Sequence, residues 1–105
     1  MAIIDATEQN IDELLQADYT VVDFYGDHCG PCQYMAPFFH AAANDLPLIQ
    51  FVKANTEVHP ELSKRFDIHA IPTLQFYRDG KLVHEHVGGV DRKTLDSFIT
   101  KLLYD

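Results

Sequence analysis

Continuous apolar runs alternate along this chain with segments in which apolar residues recur every three or four positions. The run at 19–25 is rich in β-branched and aromatic residues and is followed by Gly26 and Asp27, which predicts a strand. Because this run is almost continuously apolar, we expect it in the centre of a sheet. Further apolar runs predict strands at 3–4, 48–54, 73–77 and 81–87.

Helical periodicity is clearest at the end of the chain, where Asp91 precedes apolar residues spaced for one face of a helix. Thr7 is similarly expected to cap a helix near 8–17. Asp79-Gly80, between two predicted strands, indicates a tight hairpin. Two more helices are predicted at 32–44 and 60–66.

The predicted order of elements is β, α, β, α, β, α, β, β, α. Strands that alternate with helices imply right-handed crossovers and parallel pairing, whereas the last two strands form an antiparallel hairpin. We therefore expect an α/β fold, with a mixed central β-sheet flanked by helices on both faces. At 105 residues, the chain 1–105 is predicted to be a single domain.

The charge composition argues against some classes of binding partner. Eight Lys and Arg against sixteen Asp and Glu give a net charge of −8, which disfavours nucleic acid and anionic membranes as partners. The first residues contain neither a basic region nor a long apolar run, and two cysteines are too few for a disulfide-stapled secreted scaffold. We therefore expect a cytoplasmic protein.

Both cysteines lie in the run Cys29-Gly30-Pro31-Cys32, between a predicted central strand and a helix. A helix N-terminus presents unpaired N–H groups and a positive dipole end, which favour a thiolate. Cys29 is therefore the expected nucleophile, and Cys32 is placed to attack a mixed disulfide. The alternative is half of a zinc site, completed by His84 and His86. Without a second cysteine pair, and with Pro31 inside the motif, we predict no bound metal.

The chain resembles the thioredoxin family over nearly its whole length. The resemblance rests on five short motifs in the family's order, at 22–24, 29–32, 35–37, 71–73 and 87–89. It implies the thioredoxin fold and a general protein-disulfide reductase with no tightly bound cofactor. It also implies that NADPH supplies the electrons through a flavoprotein thioredoxin reductase. The expected partners are that reductase and disulfide-containing proteins, and we expect a monomer.

The resemblance also assigns Asp23 as a buried carboxylate beneath the cysteines and Lys53 as the lysine near it. Burial in an apolar strand should raise the pKa of Asp23 until it can accept the proton of Cys32. A hydrogen-bonded structural Asp23 and a solvated Lys53 at a strand end are the alternatives.

Ile71-Pro72-Thr73 matches the cis-proline loop that faces the cysteines in the family. Residues that resemble the family's substrate-docking surface are Gly30, Pro31, Ile71, Pro72, Val87 and Gly88. For Val87 and Gly88, an ordinary strand end and turn is the alternative.

The chain departs from the family pattern at Tyr25 and His28, where Trp is usual, and at Gln33, where Lys is common. A protonated His28 would favour the Cys29 thiolate and make the pair more oxidising, whereas Asp27 and the uncharged Gln33 would act in the opposite direction. A solvated His28 without such an effect is equally compatible with the sequence. Two functional alternatives therefore stay open: a specialised oxidant or isomerase tuned by His28, and a docking subunit in which the cysteine pair is incidental.

Overall fold

The computed structural model describes residues 3–105, whose strands and helices follow the predicted order. The strands are β1 (Ile3–Asp5), β2 (Tyr19–Tyr25), β3 (Gln50–Asn55), β4 (Thr73–Arg78) and β5 (Lys81–Val87). The helices are α1 (Ile11–Leu14), α2 (Gly30–Asp45), α3 (Pro60–Arg65) and α4 (Arg92–Tyr104). Among these residues, no helix combines the length and apolar character needed to cross a bilayer.

The five strands form one mixed sheet in the order β1-β3-β2-β4-β5. β3 pairs in parallel with β1 and β2, whereas β4 is antiparallel to β2 and β5. β2 is thus the central strand, as its apolar run predicts, and the mixed α/β architecture is confirmed. Asp79 and Gly80 both have positive φ, at 53° and 81°, as a tight hairpin turn requires.

Alternate residues of β2 supply the cores on the two faces of the sheet. Val21 packs with residues of α2 and α4, including Phe39 and Leu95. Val22 packs on the opposite face with residues of α1 and α3. Because side chains alternate along a strand, Asp23 shares the face of Val21 and lies on the side that α2 covers.

Two predicted elements begin later than expected. The helix expected at 8–17 is only Ile11–Leu14. Thr7 still caps the turn that leads into it: Thr7 Oγ1 accepts the Asn10 N–H at 3.1 Å, Asn10 Oδ1 accepts the Thr7 N–H at 2.7 Å, and the Thr7 carbonyl oxygen accepts the Ile11 N–H at 3.1 Å. The strand expected from residue 48 begins at Gln50, and the side chain of Leu48 is exposed.

Candidate active site

Cys29 and Cys32 form a disulfide at the point where the chain passes from β2 into α2. Cys29 is the N-cap residue of α2, and Cys32 lies in its first turn, with 5.3 Å between the two Cα atoms. Gly30 and Pro31 occupy the first two helical positions. Proline is favoured there because no helical acceptor exists for its missing N–H.

The environment of Cys29 favours its anionic form. Its Sγ accepts the Cys32 N–H at 3.2 Å, at the positive end of the α2 dipole. Both cysteines are buried in the disulfide form, with Cys29 8% exposed and Cys32 4% exposed. Cys29 is therefore the more accessible of the two.

Asp23 is buried within the sheet, with 1% of its surface exposed. Its Oδ1 has no hydrogen-bond partner among residues 3–105. Burial raises the pKa of Asp23 to about 7, and the positive charge of Lys53 partly opposes that rise. A structural carboxylate would be hydrogen-bonded, so this environment does not fit the structural alternative for Asp23.

Lys53 lies beside Asp23, because the two residues are register partners on β3 and β2. Its Nζ lies 4.2 Å from the centroid of the Tyr25 ring, a cation–π contact. Lys53 is therefore half-buried rather than a solvated strand-end residue. A cavity of about 180 Å³ is lined by Tyr25, Gly26, Asp27, Cys32, Gln33, Ala36 and Lys53.

The predicted docking residues lie at the start of α2, in the loop before β4 and at the end of β5. The Ile71–Pro72 bond is cis, and the Pro72 carbonyl accepts the Gly88 N–H at 2.8 Å, which joins the two loops. Val87 is 56% exposed, whereas Pro72 is buried and Ile71 and Gly88 are half-buried. Gly30 and Pro31 are exposed at the start of α2.

Gly89 lets the loop after β5 approach the cysteine motif. A Cβ atom at Gly89 would lie 2.9 Å from the Pro31 carbonyl oxygen, too close for any other residue without a shift of backbone. The loop that carries Gly88 is therefore held directly against the helix start that carries Cys29 and Cys32.

His28 precedes Cys29 and has a side chain that is 91% exposed. Its Nδ1 lies 3.3 Å from Oε1 of Glu57, a residue that belongs to none of the sequence motifs described above. Glu57 follows β3, and β3 runs parallel to β2. The carboxyl ends of parallel strands meet at one edge of a sheet, which is the only sequence signal that could have indicated Glu57.

Within the part of the chain that the structure describes, no group of three or more His, Cys, Asp or Glu side chains could hold a metal ion. The rings of His84 and His86 instead each contact Phe98, with ring centroids 4.9 Å from the centroid of its ring.

Comparisons with known proteins agree with this geometry. The Thioredoxin family model matches residues 2–101. A thioredoxin of Staphylococcus saprophyticus is 33% identical over 104 residues, covering 98% of this chain and 100% of that protein. A thioredoxin of Chlamydia muridarum is 32% identical over 95 residues, covering 90% of this chain and 93% of that protein.

The fold is also found in solved structures. The crystal structure of Chlamydomonas reinhardtii thioredoxin f2 covers 94% of each chain with a TM-score of 0.86 and 26% identity. Plasmodium falciparum thioredoxin covers 100% of each chain, also with a TM-score of 0.86. Its 24% identity supports the fold alone. This chain belongs to the thioredoxin family and is a thiol–disulfide oxidoreductase that reduces protein disulfides.

Proposed function

We propose that Cys29 is the attacking thiol and Cys32 the resolving thiol. The observation that carries this assignment is the Cys29 Sγ at the N-cap of α2, where it accepts the Cys32 N–H. That hydrogen bond and the helix dipole both stabilise a thiolate on Cys29. Cys29 is also the more exposed cysteine of the pair.

The reaction transfers two electrons to the substrate. The Cys29 thiolate attacks one sulfur of a substrate disulfide, which breaks the substrate bond, forms a mixed disulfide and releases one substrate thiolate. The Cys32 sulfur then attacks the Cys29 sulfur and releases the second substrate thiolate. The substrate becomes a dithiol, and Cys29 and Cys32 become the disulfide present in the structure.

Asp23 is proposed to accept the proton of Cys32 during the second attack. A carboxyl group with a pKa of about 7 exists in both protonation states near neutral pH, so it can take up and release this proton. Its unpartnered Oδ1 leaves it free to accept a proton or a hydrogen bond. Lys53 limits the pKa rise and so keeps Asp23 in the useful range.

The substrate polypeptide is proposed to dock in extended form on Gly30, Pro31, Ile71, Pro72, Val87 and Gly88. The exposed Val87 side chain and the loops joined by the Pro72 and Gly88 hydrogen bond support this placement. We also propose that the chain acts as a cytoplasmic monomer and that a flavoprotein thioredoxin reductase returns the two electrons from NADPH. The reductase is tested by following NADPH oxidation with that enzyme and the oxidised chain.

The assignment of the two thiols is tested by reduction of insulin with dithiothreitol. Cys29→Ser should abolish the acceleration that the wild-type chain gives, because no attacking thiolate remains. Cys32→Ser should instead accumulate a mixed disulfide on Cys29, detectable by mass spectrometry. Full activity in Cys29→Ser, or a mixed disulfide on Cys32 in that variant, would reverse the assignment.

A further inference from the structure

The loop that leads to Cys29 is held by the loop that follows β3. The Tyr25 carbonyl oxygen, at the end of β2, accepts the Thr56 N–H at 2.8 Å and the Thr56 hydroxyl at 3.0 Å. Asn55 Nδ2 donates to Asp27 Oδ1 at 2.9 Å. Residues 55–57 therefore fix the path of residues 25–28 by side-chain and backbone bonds.

Glu57 makes the contact nearest to the attacking cysteine. Its Oε2 accepts the backbone N–H of His28 at 3.2 Å, and its Oε1 lies 3.3 Å from the imidazole Nδ1. The Glu57 N–H is itself bonded to Asn55 Oδ1 at 2.9 Å. Both oxygens of one carboxylate thus contact the residue that immediately precedes Cys29.

Gly26 leaves the space that Glu57 occupies. A Cβ atom at Gly26 would lie 2.6 Å from Glu57 Oε2 and 2.8 Å from Ile71 Cδ1. The carboxylate therefore packs against the loop backbone on one side and contacts His28 on the other. The same spot adjoins Ile71, which belongs to the cis-proline loop.

We propose that Glu57 is a positioning residue of this redox site, whose carboxylate holds the 26–28 loop so that Cys29 stays at the N-cap of α2. This inference rests on the proposed role of Cys29. Glu57 acts through His28, whose backbone N–H and imidazole it contacts.

The Glu57 charge has a separate effect. Hydrogen bonds from His28 lower the pKa of Glu57, which keeps it ionised at neutral pH. A negative charge near Cys29 disfavours the thiolate, and a protonated His28 offsets it. The other carboxylate of the loop, on Asp27, is bonded to Asn55 instead. Loss of the Glu57 charge should therefore stabilise the Cys29 thiolate, whereas loss of the hydrogen bond to His28 should destabilise it.

Two substitutions separate these effects. Glu57→Gln removes the charge but keeps an oxygen that can accept the His28 N–H, whereas Glu57→Ala removes both. The readout is the pH profile of Cys29 alkylation by iodoacetamide in the reduced protein, together with the rate of insulin reduction. The matched control is Glu61→Ala, which removes an exposed carboxylate whose partner is Lys64, on α3.

Because both variants lack the charge, their difference reports the hydrogen bond. We expect the alkylation midpoint of Glu57→Ala to lie about half a pH unit or more above that of Glu57→Gln, and its insulin rate to be about threefold lower. Glu61→Ala should match the wild-type chain. Equal midpoints and rates in Glu57→Ala and Glu57→Gln would overturn the proposal.

Failure of this proposal differs visibly from failure of the proposed function. If Cys29→Ser remains active, the proposed role of Cys29 fails whatever Glu57 does. If Cys29→Ser is inactive and the Glu57 variants are equal, only the role of Glu57 fails. Should Glu57→Ala not fold, Glu57→Asp replaces it and is compared with the wild-type chain, because it keeps the charge but shortens the reach. The same rise in midpoint is expected, and an unchanged midpoint would refute the proposal.

Discussion

Asp23 and Gln75 are two polar side chains that the sheet buries on neighbouring strands, and their surroundings differ completely. Asp23 on β2 is 1% exposed, and Gln75 on β4 is 2% exposed, on the opposite face of the sheet. Gln75 Nε2 donates to the Phe66 carbonyl oxygen and to Glu85 Oε2, and its Oε1 accepts the Tyr77 hydroxyl. Asp23 Oδ1 has no partner within residues 3–105.

The difference separates a structural polar group, Gln75, from Asp23, which we propose to be reactive. Burial raises the pKa of Tyr77 to about 12, so its hydroxyl stays protonated and donates to Gln75 at any physiological pH. That network is complete and stabilises the fold. Asp23 lacks such compensation, so ionising it destabilises the folded state and its proton stays exchangeable near neutrality. Functional residues are expected where such a local rule is broken.

Asp23→Asn should change the stability of the folded state most, because it keeps the shape of the Asp23 side chain and removes its ionisation. Because the folded pKa is raised from 3.8 to about 7, stability is lost as the pH rises from about 4 to 7. Above pH 8 the variant should therefore be more stable than the wild-type chain by up to about 4 kcal/mol.

This prediction is measured by denaturant unfolding of the oxidised proteins at pH 5 and pH 8.5. The gain in Asp23→Asn should be less than half as large at pH 5, where Asp23 is mostly protonated in the folded state but mostly ionised in the unfolded chain. A gain of equal size at both pH values would show that ionisation of Asp23 is not its source.

Gln75→Leu should have the opposite sign. It leaves the Tyr77 hydroxyl, the Glu85 carboxylate and the Phe66 carbonyl oxygen without their partner, which should destabilise the fold by about 1–3 kcal/mol. The same unfolding experiment should give a similar loss at pH 5 and pH 8.5. Gln9→Leu, at an exposed turn position, should change stability by less than about 0.5 kcal/mol. If Gln75→Leu and Gln9→Leu changed the stability equally, the hydrogen bonds of Gln75 would not stabilise the fold.

Lys53→Met tests the charge beside Asp23. Loss of the ammonium should raise the pKa of folded Asp23 further. Because the unfolded pKa does not change, the loss of stability should continue to a higher pH than in the wild-type chain. The measurement is a carbon-13 NMR titration of the Asp23 carboxyl carbon. Lys64→Met, at an exposed position of α3, is the control and should leave the titration unchanged. An unshifted titration in Lys53→Met would exclude Lys53 from the tuning of Asp23.

His28→Trp should have the smallest effect, because the His28 side chain is 91% exposed and Asp23 is not. Where His28 is protonated, its replacement removes a cation near Cys29, which should lower the reduction potential by less than about 20 mV, since exposed charges interact weakly. Equilibration with glutathione at pH 6 and pH 8 measures this change. A shift several times larger, present at pH 6 and absent at pH 8, would make His28 a principal determinant of the potential.

The sequence is most informative where a local motif determines the geometry. Asp79-Gly80 specifies the hairpin, Asp91 caps α4 by accepting the Thr94 N–H at 2.9 Å, and Cys29 to Cys32 lies at a helix start as predicted. These features depend on neighbours in the chain. The short extent of α1 could not be predicted, because the cap at Thr7 and the apolar spacing of Ile11 and Leu14 fit a short helix and a long one equally well.

The sequence is least informative where partners come from distant elements. Asp23 and Gln75 are each a single polar residue in an apolar strand, and nothing local distinguishes them. Gln75 is satisfied by groups from three different places in the chain, and Asp23 is not. Glu57 is one loop residue with no periodicity, and its contact with His28 spans 29 positions.

The most direct test of the proposed role of Asp23 is the carbon-13 NMR titration of its carboxyl carbon in the oxidised wild-type chain. We expect a midpoint at about 7. A midpoint near the ordinary value of 3.8 would contradict it, because Asp23 would then be fully ionised at neutral pH and a poor acceptor for the Cys32 proton.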